Sequence, residues 1–341
     1  MNKKITIALD CMGGDNAPYI VVKGAELASA SNPNIHFLLY GNSDLIAPIL
    51  KNCSSLKKNH SLIHTEHLIA ADEKPSIALR KGTKSSMRLA INSVKNQESD
   101  AIVSAGNTGA LMAMSKIVLR SLPEIDRPAI VTCIPNQKRR ATVMLDMGAN
   151  VDCDSDVLYQ FAVMGHAFAK TVLNIPDPLI GLLNVGSEDL KGNDAVKNAA
   201  ELIKESALSD YFYGYVEGDD ICKGTVDVIV ADGFCGNITL KAIEGTAKMV
   251  TGIVKEAFLS SILSRVGYLF AKTSLSKLFK QVDPRLHNGA MLVGLNGIVV
   301  KSHGGTDEVG FANAIKVAVS LTQDQINQKI IKEIKSTSLE E

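Results

Sequence analysis

Two stretches of this chain share one design. Asp100-Ala-Ile-Val-Ser-Ala-Gly-Asn-Thr-Gly-Ala110 aligns without a gap on Asp227-Val-Ile-Val-Ala-Asp-Gly-Phe-Cys-Gly-Asn237. In each, a short apolar run reads as a buried strand and two glycines bracket a tight loop. After the second stretch, Ile238, Leu240, Ile243, Ala247 and Val250 recur at helical spacing. A strand that ends in a glycine turn and opens a helix offers backbone N–H groups and a helix dipole to an anion. The pair reads either as two walls of one site or as two ordinary strand–helix turns.

The intervening sequence keeps the same alternation. Strands are expected at Lys4 to Leu9, His36 to Tyr40, Leu62 to His64, Ala101 to Ser104, Ala129 to Ile134, Ala141 to Leu145, Leu179 to Asn184, Tyr211 to Val216 and Val226 to Ala231. Met291 to Leu295 and Ile298 to Lys301 flank a Leu-Asn-Gly turn and read as a hairpin. Helices fall between these runs; Ala71 to Lys84 reads as irregular, and Phe311 to Ile334 as one closing helix. Such alternation predicts an α/β fold, a mostly parallel sheet with helices on both faces. No linker rich in Pro, Gly or Ser divides the 341 residues, so one domain over 1–335 is expected. In such sheets the site lies beyond the carboxyl ends of the strands, where strand order reverses.

Charge and cysteine usage narrow the function. Lys plus Arg and Asp plus Glu both number 36, which argues against generic nucleic-acid binding. The six cysteines form no C-x-x-C pair, and a chain of this size needs no disulfide, so a reducing cytoplasm is expected. No run of about 18 apolar residues is present to span a membrane. Neither G-x-G-x-x-G after the first strand nor G-x-x-x-x-G-K-[ST] occurs, which lowers a dinucleotide or ATP reading.

The loops after strands hold the candidate site residues. Asp10 to Asp15 offers the N–H groups of Gly13 and Gly14; Asp10 and Asp15 lack the third carboxylate a metal would want. Arg80-Lys81-Gly-Thr-Lys84-Ser85-Ser86 reads as a phosphate-binding helix start or a solvated basic loop. Ser104, Asn107 and Thr108 supply uncharged donors in the first glycine turn around Gly106, and Asn237 closes the second turn after Asp232 and Gly236. Lys191, in a Gly/Asn loop after a buried strand, reads as an anion clamp or a surface charge. His303, beside Gly304 and Gly305, is a candidate acid or phosphate donor. His60, His64 and His67 invite a metal, but on a strand the last two face opposite ways, so none is expected. Cys235, at a helix start, reads as a thiol of lowered pKa or a small buried hydrophobe. Between 258 and 282, Leu259, Ile262, Leu263, Val266, Leu269 and Phe270 form an apolar stripe, followed by Leu275, Leu278, Phe279 and Val282. Its charges, Arg265, Lys272, Lys277 and Lys280, are all basic. That segment reads as a membrane-surface helix or as one packed on the core or a second subunit.

Five segments in order carry a family resemblance: Leu9 to Pro18, Ser104 to Ala110, Asn184 to Asn193, Ala231 to Asn237 and Gly294 to Gly304. With them the chain resembles the bacterial phosphate acyltransferases that make acyl phosphate from acyl-[acyl-carrier-protein]. The resemblance implies a three-layer α/β/α fold akin to isocitrate and isopropylmalate dehydrogenases, a homodimer, and peripheral attachment to the inner membrane. It implies acyl carrier protein and inorganic phosphate as partners, no cofactor, and a downstream glycerol-3-phosphate acyltransferase. Cys11 and Cys235 stand where the family usually has Ala and Thr, which argues against either thiol as nucleophile. On this reading Ser104, Asn107, Thr108 and Lys191 hold phosphate, and Asn237 stabilises the tetrahedral oxyanion. Acyl transfer from a short acyl-CoA, a non-catalytic membrane scaffold, and a decarboxylating dehydrogenase are the alternatives.

Overall fold

Short β-branched runs between amphipathic stretches give, in the computed structural model, eleven strands and twelve α-helices over the described residues, 4–281 and 283–338. The strands are β1 (Ile5–Asp10), β2 (Ile35–Gly41), β3 (His60–His64), β4 (Ala101–Ser104), β5 (Ala129–Pro135), β6 (Ala141–Leu145), β7 (Ile180–Leu183), β8 (Phe212–Val216), β9 (Val228–Val230), β10 (Ala290–Val293) and β11 (Ile298–Lys301). The helices are α1 (Tyr19–Ser31), α2 (Ser43–Leu50), α3 (Pro75–Lys81), α4 (Ser86–Lys95), α5 (Thr108–Leu119), α6 (Ser155–Val172), α7 (Asp194–Lys204), α8 (Gly218–Lys223), α9 (Gly233–Leu259), α10 (Ile262–Gln281), α11 (Glu308–Gln323) and α12 (Ile326–Ser338).

All strands join one sheet in the order β3-β2-β1-β4-β11-β10-β5-β6-β9-β7-β8. Only the β11–β10, β10–β5 and β5–β6 pairs are antiparallel, so the sheet is mostly parallel and its two parallel ends run in opposite directions. Each end has its own reversal of strand order. One lies between β1 and β4, the other between β7 and β9. These are the crevices where a doubly wound sheet binds ligands.

Period-two alternation sorts the strand side chains between two cores. Ile5, Ile7 and Leu9 enter one, with residues of α1, α6, α7, α11 and α12; Ala8 enters the other, with residues of α3, α4, α5 and α8. Phe37, Phe161 and Phe311 are fully buried, and each such ring contributes about 1.5–3 kcal/mol by leaving water.

Three expectations change. The stretch read as irregular, 71–84, contains α3, which starts at Pro75, a residue suited to a first turn. The closing helix is two, α11 and α12, divided at Asp324 and Gln325, where Gln325 takes φ +52°. The apolar segment expected over 258–282 is only the second arm of a helical hairpin. Its first arm is α9, 27 residues and about 40 Å long at ~1.5 Å per residue. Val282 lies outside the described residues, as do Met1 to Lys3 and the side chains of Lys277, Leu278, Phe279 and Lys280. Ile262, Leu263, Leu269 and Phe270 are 70–87% exposed on this hairpin, far from the behaviour of a packed core helix. Among the described residues no helix is long and apolar enough to cross a membrane.

Candidate active site

The first glycine corner forms where the loops after β1, β4 and β11 converge. Gly13 and Gly106 approach so closely that a Cβ on Gly13 would lie 2.7 Å from the Gly106 nitrogen. Gly14 takes φ +108°, and Asp15 N–H donates to the Gly304 carbonyl at 3.0 Å. Beneath this junction Asp10 is buried and accepts from the Ser86 and Ser104 hydroxyls at 2.6 and 2.7 Å. Burial raises its pKa, opposed first by those two hydroxyls. Asp10 and Ser104 are therefore the floor of the corner and do not face solvent. That corrects the expectation of Ser104 as a phosphate donor: its proton goes to Asp10, and its oxygen accepts from Gly106 N–H.

Asn107 is the N-cap of α5, accepting from Ala110 N–H at 2.9 Å. Its amide donates to the carbonyls of Ala70, Ala71 and Glu73, so it straps the 70–73 loop and is not a spare donor to an anion. The open groups are one residue on. Among the described residues none accepts from the N–H groups of Thr108 or Gly109. They stand at the N-terminus of a 12-residue helix whose cap carries no charge.

The second corner uses its amides differently. Helix α9 starts two residues earlier than the gap-free alignment implies, because Asp232 is the cap and accepts from Cys235 N–H at 2.7 Å. Gly233 N–H donates to the Asn150 carbonyl at 2.7 Å. A Cβ on Gly236 would overlap the Asp146 carbonyl oxygen, so glycine there permits α9 to lie directly on the β6 loop. Asn237 falls in the second turn, exposed, with its Cβ against Gly148. Cys235 meets neither of its two readings, since it is exposed and its thiol is not lowered. Partial burial, then the Asp232 carboxylate, push its thiol up to about 11, overriding the helix dipole.

The loop 146–150 joins the two corners, although no motif in the sequence marks it. Asp146, buried and raised in pKa by that burial, accepts from the backbone N–H groups of Ile130, Gly148, Ala149 and Asn150 and from the Asn150 amide. One side of this loop meets Gly233, Gly236 and Asn237. The other side, Gly148 to Asn150, walls a cavity of about 250 Å³ that continues to Thr108, Gly109, Met112 and Pro75.

Lys191 is exposed in the loop after β7, six strand positions from β4 and next to the second corner. Among the described residues no hydrogen bond and no shared cavity wall joins Lys191 to the first corner. His303 is brought there: its Nε2 lies 3.2 Å from Lys241 Nζ, on the third turn of α9, and its Nδ1 accepts from Gly305 N–H. Its pKa is lowered by burial, then by Lys241. The basic stretch 80–84 is exposed except for Gly82, while Ser85 caps α4 and Ser86 holds Asp10. His60 and His64 are engaged locally, with the Leu56 carbonyl and with Ser43. Lys301 went unnamed among the sequence candidates, although a lysine ending the apolar run Ile-Val-Val was a readable signal.

A family model described as fatty acid synthesis protein matches residues 5–329. The phosphate acyltransferase of Paramagnetospirillum magneticum is 54% identical over 333 residues, 98% of this chain and 95% of that protein. That of Rhodospirillum centenum is 52% identical over 334 residues, covering 98% and 94%. Among solved structures, a phosphotransacetylase from Streptococcus pyogenes superposes with TM-score 0.61 at 17% identity, covering 95% of each chain, a likeness of fold.

Proposed function

The chain belongs to the fatty acid synthesis protein family of phosphate acyltransferases, and from that premise we propose that it transfers the acyl group of acyl-[acyl-carrier-protein] to inorganic phosphate. Phosphate sits at the N-terminus of α5 on the amides of Thr108 and Gly109 and the Thr108 hydroxyl. One phosphate oxygen attacks the thioester carbonyl carbon. The carbon–sulfur bond breaks and its electron pair leaves with sulfur as thiolate. Phosphate is already anionic at neutral pH, so alignment matters more than a general base, and it can supply up to about 7–11 kcal/mol. The thioester enters the cavity walled by Pro75, Met112, Pro128 and Gly148–Asn150. Asn237, seated over Gly148, donates to the tetrahedral oxyanion, a contribution of about 3–4 kcal/mol for one such donor. Lys191, beside the second corner, suits the anionic carrier arm better than the nucleophile.

The observation that supports this reading is the shared wall: one loop, 146–150, backs onto one corner and opens to the other. The test is phosphate-dependent release of carrier thiol with formation of acyl phosphate, run with acyl-[acyl-carrier-protein] and with acyl-CoA. Release from the carrier thioester is expected to be the faster. No phosphate-dependent release from either thioester would overturn the proposal.

Acyl phosphates hydrolyse readily, so the product profits from prompt use by a glycerol-3-phosphate acyltransferase at the membrane. The exposed hairpin of α9 and α10 fits peripheral attachment of a cytoplasmic homodimer to the inner membrane. In the variant L263E/L269E, co-sedimentation with anionic liposomes is expected to fall several-fold while the dimer persists in light scattering. Unchanged sedimentation would assign that face to packing between subunits.

A further inference from the structure

A phosphate bound at the first corner needs a countercharge; the β1 side of the corner offers only carboxylates, Asp10 and Asp15, and Lys241, which reaches His303, is already paired with Glu244. The basic candidates from the sequence do not supply one. Lys191 follows β7, at the other reversal of strand order; Arg80, Lys81 and Lys84 are exposed on α3 and the turn after it; and Lys116, which edges the cavity, donates to the Asp126 carbonyl. Lys301 closes β11 at the junction itself. Its ammonium donates to the carbonyl of Ala105, in the β4 loop, and to that of Ser302. An ammonium has three protons. Among the described residues the third has no protein acceptor.

We infer that Lys301 is the cation that touches the bound phosphate, holding the nucleophile at the first glycine corner while its other two protons fix the β4 and β11 loops. The inference rests on the phosphate acyltransferase reading above and adds a residue to it. Several charges face the ammonium. Asp10 from β1 and Asp15 from the following loop favour its charged form; Lys241 from α9 opposes it. Glu244 and Lys248 of α9 act on His303, two residues on. Burial outweighs the carboxylates and lowers Lys301 to about 8, so the cation is present at neutral pH and lost above it.

The experiment starts from wild-type enzyme with acyl-[acyl-carrier-protein]. If it forms no acyl phosphate, the functional reading fails, and protection of the fold by inorganic phosphate in thermal melts still reads this site. With turnover in hand, K301M is expected to raise the phosphate KM about tenfold or more and leave the carrier KM within about twofold. K301R should recover most of the phosphate affinity, because it keeps the charge and can reach both carbonyls. A phosphate KM within about twofold of wild type in K301M would overturn the inference. Should K301M fail to fold, sulfate inhibition of wild type decides, since sulfate does not titrate between about pH 7 and about pH 9.5. Inhibition is expected to weaken about tenfold across that range, and a constant inhibition would overturn the inference.

Discussion

The two glycine corners look interchangeable on paper and are not. At the first, the cap of α5 is the neutral Asn107, and the amides of Thr108 and Gly109 open onto a cavity. At the second, the cap of α9 is the carboxylate Asp232, and Gly233 N–H is taken by the Asn150 carbonyl. A helix N-terminus carries roughly half a positive charge. The second corner neutralises its own with Asp232, and the first leaves it for a ligand. The aligned glycines differ in the same way. A Cβ at Gly236 would strike backbone, the Asp146 carbonyl, whereas at Gly109 it would meet the ring of Pro75 in the cavity wall. One glycine serves packing and the other keeps space. An anion site is thus set by what already occupies the amides, and a strand–glycine–helix pattern does not report that.

The sharpest way to break this comparison is to place a carboxylate at the second helical position of each corner. Asp is well tolerated in a first turn, so F234D should fold; at Gly109 any Cβ must displace the Pro75 ring, 2.8 Å away, so the neutral isostere G109N is the control against which G109D is read. G109D puts an internal anion where phosphate binds. Its phosphate KM is expected to rise about tenfold or more, a loss of at least ~1.4 kcal/mol of binding. F234D, at an exposed residue of α9, should leave the phosphate KM within about twofold. Equal effects at the two corners, in a phosphate titration of initial rates, would mean that both face the nucleophile and that Asp232 does not screen α9.

What the sequence makes legible follows from range. Strand positions and the β10–β11 hairpin rest on local periodicity and turn chemistry, and they stand within a residue or two. The first crevice was legible too, because Asp10–Asp15 and Ser104–Thr108 follow neighbouring strands. The roles inside it were not. Ser104 and Asn107 read as spare donors until Asp10, 94 residues away, and the 70–73 loop take their protons. Lys191 follows β7, at the other reversal of strand order, and no local pattern tells which crevice such a loop will serve. The 146–150 loop has no glycine-corner motif. Its importance comes from contacts with α9 and from the cavity along α5, which only tertiary packing creates.

The smaller test reads the second corner's electrostatics through Cys235. A thiol at a helix start ordinarily loses its proton more easily. Here partial burial and Asp232, whose Oδ2 accepts from the Sγ–H at 3.5 Å, hold the thiol at about 11. D232N keeps a good cap, since Asn and Asp rank alike at that position, but removes the charge. The dipole is then free to stabilise thiolate. Alkylation of Cys235 by iodoacetamide near neutral pH, followed peptide by peptide in mass spectra, is expected to quicken several-fold. The gain is muted because a less basic thiolate is also a weaker nucleophile. The phosphate KM of D232N should stay at the wild-type value, for the amide of Gly233 remains on Asn150. If D232N leaves the alkylation rate unchanged, burial alone sets that thiol. The contrast between the corners would then rest on the Asn150 carbonyl, which blocks one amide at the second and none at the first.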